Sequence, residues 1–240
     1  ILNWSSRGLV TAYTATRGLE MAKVGLNYLF RRKGLGRQQF LESGAFLCSR
    51  EGLSRPDVQI HAVLGLMRDH GKVDLKQDGF SLHLCQLRPE SRGRIAAAGP
   101  DAMADPLIFA NYLATPEDRR VLREAVKIGR DVASQAALDP YRIDELYPGA
   151  SVRTDDDIDA WVRASAETIY HPVGTCRMGA DGDAMAVVDG TLRVRGLAGL
   201  RVIDASVMPT LVGSNTNAPT IMIAEKAADM IRGVSMSRAA

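Results

Sequence analysis

Apolar positions change their spacing along this chain, and each change predicts a different kind of element. Between residues 8 and 30, Leu19, Ala22, Leu26, Leu29 and Phe30 fall on one side of a 3.6-residue repeat. That spacing predicts a helix stopped by Gly34-Leu35-Gly36. From Leu41 to Ala98 the texture turns to short segments at 44–48, 58–66, 80–87 and 94–98, separated by Gly, Pro and Asp. Phe80-Ser81-Leu82-His83-Leu84-Cys85-Gln86-Leu87 alternates at period two, which predicts an antiparallel sheet with one face covered.

Two helices then declare their starts. Thr115-Pro116-Glu117-Asp118 supplies an N-cap, a first-position proline and first-turn acids. Its apolar stripe is Val121, Leu122, Ala125, Ile128, Val132 and Ala136, and the helix must end by Pro140. Thr154-Asp155-Asp156-Asp157 opens the next, burying Ile158, Trp161 and Val162. Past Val187, two short strand signals flank Asp189-Gly190, another strand signal covers 200–203, and a closing helix runs from about Ala218 to Arg232. Strands first and helices after predict an α+β fold, a mostly antiparallel sheet flanked by helices.

Composition narrows the function classes. The 240 residues are 46% apolar and 24% charged, as in a soluble globular protein. Thirty Lys and Arg against 28 Asp and Glu leave a net charge of +2, which gives no footprint for nucleic acid. Arg31-Arg32-Lys33 reads as a solvated helix end. Cys48, Cys85 and Cys176 are odd in number and far apart, so they make neither a metal pair nor a disulfide framework. No metal is expected, and the cysteine usage suits a reducing compartment. No apolar run approaches the ~18 residues of a membrane span. The chain begins at Ile1 with nothing like a signal peptide, as a processed product or a late segment of a longer polypeptide would.

The simple catalytic templates are missing: there is no G-x-S-x-G elbow, H-E-x-x-H, Walker loop or zinc-spaced Cys/His set. Gly34-Leu35-Gly36-Arg37-Gln38-Gln39 lacks the third glycine of a dinucleotide loop and follows a helix instead of a strand. His61 and His83 lie inside strand patterns and His70 in a polar turn, so all three read as structural or surface residues. His171 differs, because Pro172 pushes it toward extended backbone and a loop with Gly174 and Gly179 follows. An imidazole held on a stiff loop suits a general base, and equally a turn histidine bonded to a carbonyl.

A second constellation closes the chain. Val202-Ile203-Asp204-Ala205-Ser206 reads as a buried strand emerging into a polar turn. Gly213-Ser214-Asn215-Thr216 then leads to a helix capped by Asn217 or Ala218, with Pro219 in its first turn. That helix is apolar nearly all round, which predicts a buried N-terminus. Its N–H groups would favour an anion or an electron-rich ring oxygen, unless the helix is an ordinary capped core element.

Three stretches carry a resemblance together. They are Tyr170-His171-Pro172-Val173-Gly174-Thr175-Cys176-Arg177-Met178-Gly179, Leu200-Arg201-Val202-Ile203-Asp204-Ala205-Ser206-Val207-Met208-Pro209, and the run from Gly213 through Asn217-Ala218-Pro219-Thr220 to Glu225-Lys226. In order and spacing they closely resemble the C-terminal part of the glucose–methanol–choline (GMC) oxidoreductases, in the manner of bacterial choline and alcohol dehydrogenases. Arg92-Gly93-Arg94-Ile95, Asn111-Tyr112-Leu113 and Glu117-Asp118 resemble the family too, so the likeness covers nearly the whole chain.

The resemblance implies a substrate-binding domain over residues 1–178. It also implies a segment, 179–240, that completes an FAD-binding Rossmann-like α/β domain. FAD would be gripped mainly by an N-terminal half or a second chain, and this segment would be inactive without it. The implied activity is oxidation of a primary alcohol, choline-like or other, to the aldehyde by hydride transfer to flavin N5. His171 matches the histidine that takes or relays the alcohol proton, and Asn217 the partner position that bonds the substrate oxygen. Asp204 and Ala205 match the turn near the flavin's ribityl and pyrophosphate, and Asn215, Pro219 and Thr220 the stretch lining the isoalloxazine. Glu42 is the candidate carboxylate for a quaternary ammonium, or else a strand-end surface acid; Cys176 is a packing residue. The implied partners are a small-molecule alcohol and oxygen or quinone as electron acceptor, with a homo-oligomer permitted. The implied location is the cytoplasm or the periphery of a bacterial inner membrane. A catalytically silent binding or scaffold domain, and a lyase that keeps flavin structurally, stand as other readings.

Overall fold

The computed structural model describes residues 1–41 and 43–233, which divide into two compact units. The first comprises Ile1–Gln86 and Thr115–Ala166. The second comprises residues 87–114 and the described residues from 167 on, so His171 belongs to it by packing. Among the described residues no helix is long and apolar enough to cross a membrane.

The first unit is built on a five-stranded antiparallel sheet of β1 (Leu2–Ser6), β2 (Ser43–Leu47), β3 (Val58–Val63), β4 (Gly79–Gln86) and a later strand, β7 (Arg142–Tyr147). Their spatial order is β2-β3-β4-β1-β7. The strands expected at 44–48, 58–66 and 80–87 are present as β2, β3 and β4, with ends shifted by one to three residues. β1 and β7 carry too few alternating apolar residues to announce themselves. The single helix expected over 8–30 is two, α1 (Ala12–Ala15) and α2 (Gly18–Arg31). Extended backbone at Arg17 and a left-handed Gly18 (φ 52°) break it.

One face of the sheet is covered by α3 (Pro116–Ser134), whose N-terminus is capped by Thr115 Oγ1 accepting the Asp118 N–H at 3.2 Å. Its buried stripe is Val121, Ala125, Val126, Gly129 and Ala133, rotated from the expected one. Gly129 explains the rotation. A Cβ there would lie 2.8 Å from Leu2 Cδ1 and 3.1 Å from Leu84 Cδ2, so its absence lets the helix backbone settle onto the sheet. Ala136 lies past the end of α3 and is exposed.

The next helix, α4 (Asp155–Ser165), starts on a reciprocal capping box between Thr154 and Asp157. It buries Ile158 and Val162, while Trp161 is half-buried and meets Tyr147 edge-on at 5.4 Å. Ion pairs Arg123–Asp159 and Lys127–Asp155, both 2.8 Å, tie α4 to α3.

The opposite face of the sheet is not left to solvent. Asn3, Gln59 and Ser81 are buried there. The Asn3 amide grips Met67 in both directions, at 2.9 and 3.2 Å, and the Ser81 hydroxyl donates to Gly65 O at 2.9 Å. His61 and His83 stand opposite each other across β3 and β4. Burial, with like charge from His61, pulls His83 down to about 4.

In the second unit β5 (Arg94–Ala96) and β6 (Leu107–Phe109) form a separate two-stranded antiparallel ribbon, so the 94–98 segment does not extend the main sheet. The strand signals beyond Val187 shrink to single bridges, Met178 with Val188, Val188 with Val194 and Arg193 with Arg201. A small core of Val188, Leu192, Val207 and Ala227 is flanked by Met178, Ile203 and Ile223. The closing helix is α5 (Asn217–Arg232). Only its Ile223–Ala227 side meets that core, and Asn217, Ala218, Ile221 and Met222 are exposed. At the helix start the N-cap residue Thr216 is buried, whereas the first two helical residues, Asn217 and Ala218, are exposed.

Candidate active site

The loop after His171 is fastened to the turn at residues 204–208. Cys176 N–H donates to Ser206 O at 3.1 Å and Met178 N–H to Val207 O at 2.8 Å. Asp204 shapes that turn, its Oδ1 accepting the Ser206 N–H at 2.8 Å together with the Ser206 hydroxyl. On the far side, Arg177 Nη2 lies 2.9 Å from each oxygen of Asp183. Gly179 has no room for a side chain beside them, since a Cβ would fall 2.7 Å from both Ala186 Cβ and Asp183 Oδ2. On the near side, Tyr170 is left-handed at φ 64°, with its N–H donated to Thr168 Oγ1 at 2.9 Å. His171 is thus presented by a loop whose two flanks are both pinned.

The imidazole is held by two consecutive residues at the mouth of α5. Thr216 Oγ1 lies 2.8 Å from Nδ1, and Asn215 Nδ2 lies 3.0 Å from Nε2. With the amide so oriented, Asn215 can only donate. Nε2 therefore carries the lone pair, and Nδ1–H donates to Thr216. In that arrangement Nε2 faces the more open edge, beside exposed Asn215.

Thr216 is the N-cap residue of α5, yet it makes no side-chain cap. An N-cap hydroxyl ordinarily accepts from the second or third helical N–H, and the third position here is Pro219, which has none. Freed from capping, the hydroxyl turns to His171. Its carbonyl is meanwhile anchored by the Thr220 N–H at 3.0 Å and the Thr220 hydroxyl at 2.7 Å. Thr216 is absent from the residues that sequence singled out, although a threonine three positions before a proline at a helix start was a usable signal.

Of the expected site residues, His171 and Asn215 touch directly. Asn217, Pro219 and Thr220 form the first turn of α5 immediately beyond. Asp204 and Ala205 sit on the turn to which the His171 loop is bonded. The histidine's contacts are to Asn215 and Thr216, while Asn217 stands exposed at the first helical position. Glu42 lies outside the described residues.

A model of the GMC oxidoreductase family matches residues 89–224, more than half of the chain. The chain belongs to the GMC oxidoreductase family. Oxygen-dependent choline dehydrogenase of Yersinia pseudotuberculosis is 43% identical over 232 residues, 97% of this chain and 41% of its own length. The Vibrio vulnificus protein of the same name is 42% identical, over 96% of this chain and 39% of its own. Among solved structures, pyridoxine 4-oxidase from Mesorbium loti has a TM-score of 0.75 at 30% identity, over 82% of this chain and 39% of that one. Formate oxidase from Aspergillus oryzae has a TM-score of 0.87 at 22% identity, over 97% and 45%, a likeness of fold. This GMC segment thus spans about two fifths of the curated relatives it matches.

Family membership implies FAD, and the residues present fit one part of it. The first turn of α5 is exposed and uncovered by its N-cap side chain, with Asn217 and Ala218 N–H groups at the positive end of the helix, next to His171. Such an end suits the electron-rich carbonyl edge of an isoalloxazine. The chain's nearest approach to a glycine-rich pyrophosphate loop, Gly34-Leu35-Gly36, forms a 3-10 turn after α2 and does not suit that role.

Proposed function

We propose that this segment supplies the catalytic histidine and the flavin-facing helix start of an FAD-dependent enzyme that oxidises a primary alcohol to its aldehyde. The observation that carries the proposal is the His171 ring, clamped by Asn215 and Thr216 beside the first turn of α5. The flavin, when bound, supplies the hydride acceptor. This chain's own groups do the rest. Nε2 of His171 takes the hydroxyl proton, a step for which general base assistance is worth ~10²–10⁴-fold. Thr216 holds the ring at Nδ1, and Asn215, donating to Nε2, sets which nitrogen accepts. Asn215 marks the place where the substrate hydroxyl docks, and turns its amide oxygen toward Nε2–H once the proton has arrived.

Asn217 bonds the substrate oxygen from the first turn of α5. With FAD bound, the Asn217 and Ala218 N–H groups would favour an electron-rich ring edge placed against them. Pro219 and Thr220 would line the ring with Asn215, and Asp204 with Ala205 would hold the ribityl and pyrophosphate side. An N-terminal half or second chain holds the remainder of FAD. Residues 1–178 act as the substrate-binding side and 179–240 as the flavin-side return. A choline-like alcohol is the substrate class supported by the relatives' names, with Glu42 as the carboxylate for its cation.

Anaerobic mixing of the flavin-loaded full-length protein with choline and with uncharged primary alcohols tests this. Bleaching of the oxidised flavin by one of them, with formation of the aldehyde, is expected. An oxidised flavin that survives the whole panel would refute the proposal and favour a structural flavin.

A further inference from the structure

We infer that α2 is an interfacial helix, a docking surface for the headgroups and upper acyl chains of an anionic bilayer. The helix is mounted with its apolar stripe turned away from its own unit. Leu19, Ala22, Leu26, Leu29 and Phe30 share an arc of about 100° on its surface. Leu19, Leu26, Leu29 and Phe30 are 72%, 56%, 61% and 77% exposed, and no residue of α2 is fully buried. The side that meets the protein lies about 140° round the helix from that stripe. It holds Glu20, Val24 and Asn27, all half-buried. The following turn packs there: Asn27 Nδ2 donates to Lys33 O at 3.1 Å, and a Cβ on Gly36 would lie 2.9 Å from Tyr28 Cβ and 3.3 Å from Val24 O. An amphipathic surface helix ordinarily buries its apolar stripe against its own core. This one is reversed, which leaves the stripe to a partner outside the unit.

Charge says which partner. Residues 17–37 carry six Lys and Arg against one acid, Glu20, in a chain whose net charge is only +2. The rest of the chain is therefore net acidic, and the positive charge is concentrated at this helix. Arg17 and Lys23 are paired, with Asp74 and Glu20. Arg31, Arg32, Lys33 and Arg37 are exposed, and among the described residues none of the four forms an ion pair. Arg32, left-handed at the C-cap, lays its guanidinium over the Tyr28 ring at 5.2 Å. Long basic side chains next to an apolar stripe reach lipid phosphates while their stems and the stripe enter the acyl boundary. The core of a protein interface is depleted in such charge, lysine above all. A helix of 14 residues is about 21 Å long, enough to lie in the interface and too short to span a bilayer. Binding of α2 to lipid requires nothing of His171.

The test is cosedimentation of the flavin-loaded full-length protein with vesicles of phosphatidylethanolamine and phosphatidylglycerol, against vesicles of phosphatidylcholine alone. Binding to the anionic vesicles is expected, weakening as salt rises, and at least about tenfold tighter than to phosphatidylcholine. Leu26→Gln with Phe30→Gln should weaken it about tenfold or more. Arg31→Gln with Lys33→Gln should weaken it about 30-fold. All four side chains are exposed, so both variants should keep the parent's circular dichroism and melting temperature. Phe30→Trp locates the face. Its added indole fluorescence should be open to acrylamide without lipid and should shift to the blue on anionic vesicles. An indole already shielded in the lipid-free protein would overturn the inference and give the stripe to the rest of the polypeptide, or to a second copy where dilution removes the shielding. No binding, equal binding to both kinds of vesicle, or binding untouched by Leu26→Gln with Phe30→Gln would overturn it too. Should that pair fail to fold, Phe30→Trp and the Arg31→Gln, Lys33→Gln pair decide.

Discussion

Both compact units start a long helix on threonine, and they spend the hydroxyl differently. In the first unit Thr154 faces Asp157 three positions on, and the two close a capping box at 3.1 and 2.9 Å. In the second unit the residue three positions after Thr216 is Pro219, and the hydroxyl goes to His171 instead. The same side chain caps a helix in one place and holds the His171 ring in the other; Thr154 is extended (φ −78°, ψ 163°) and faces a third-position N–H, while Thr216 is helical (φ −86°, ψ −11°) and faces a proline. The contrast extends to each whole unit. The first has a sheet on which α3 packs with α4 beside it, and these elements bury apolar residues at strand and helix spacing, while the apolar stripe of α2 stays exposed. The second is largely turns joined by single backbone bonds, and its working residues are held by local pairing instead of by a hydrophobic face.

The comparison can be broken most forcefully in the first unit's core. Ile158→Ala there should cost about 2–5 kcal/mol in urea unfolding, while leaving the ¹⁵N NMR signals of the His171 ring unmoved. A comparable disturbance of those signals would show that the site depends on that core.

Acid should act on the same unit next most strongly. His83 is held neutral in the fold, at about 4, against an ordinary 6.5. Between these values the unfolded chain binds the extra proton, so stability is full above about pH 6.5 and declines as pH falls toward 4, by about 3 kcal/mol in all. The melting temperature measured across that window should fall, and His83→Gln should flatten the decline.

Thr154→Ala should cost about 1 kcal/mol of stability and nothing in activity. Pro219→Ala is the smallest change in stability and the sharpest in meaning. It gives Thr216 a third-position N–H to cap, so unfolding should shift by less than about 1 kcal/mol. Flavin reduction should slow as the hydroxyl leaves His171. A rate equal to the parent's would break the parallel drawn between the two threonines.

The balance of what sequence made legible follows the same division. Short alternating or apolar runs located β2 to β4 to within a few residues, and the Thr-x-x-Asp motifs at Thr115 and Thr154 located the starts of α3 and α4, because local chemistry and burial agree there. β1 and β7 stayed hidden: the burial of Leu2, Asn3 and Trp4 comes from partners 80 and 140 residues away. The stripe of α3 was misplaced because Gly129, an unremarkable helix glycine by propensity, is what meets the sheet. At the site, the X-Pro dipeptide after His171 and the polar run before α5 marked the right loops. Their pairing through Thr216 was legible only in the threonine three positions before Pro219, a weaker signal than a capping motif.

The central claim is that the His171 ring, fixed by the residues that open α5, takes the proton from an alcohol bound beside flavin. Its most direct test is the anaerobic rate of flavin reduction by saturating alcohol in His171→Ala, with bound flavin counted in the same sample. A fall of ~10²-fold or more at unchanged flavin content is predicted. Reduction at the parent rate in flavin-replete variant would contradict it.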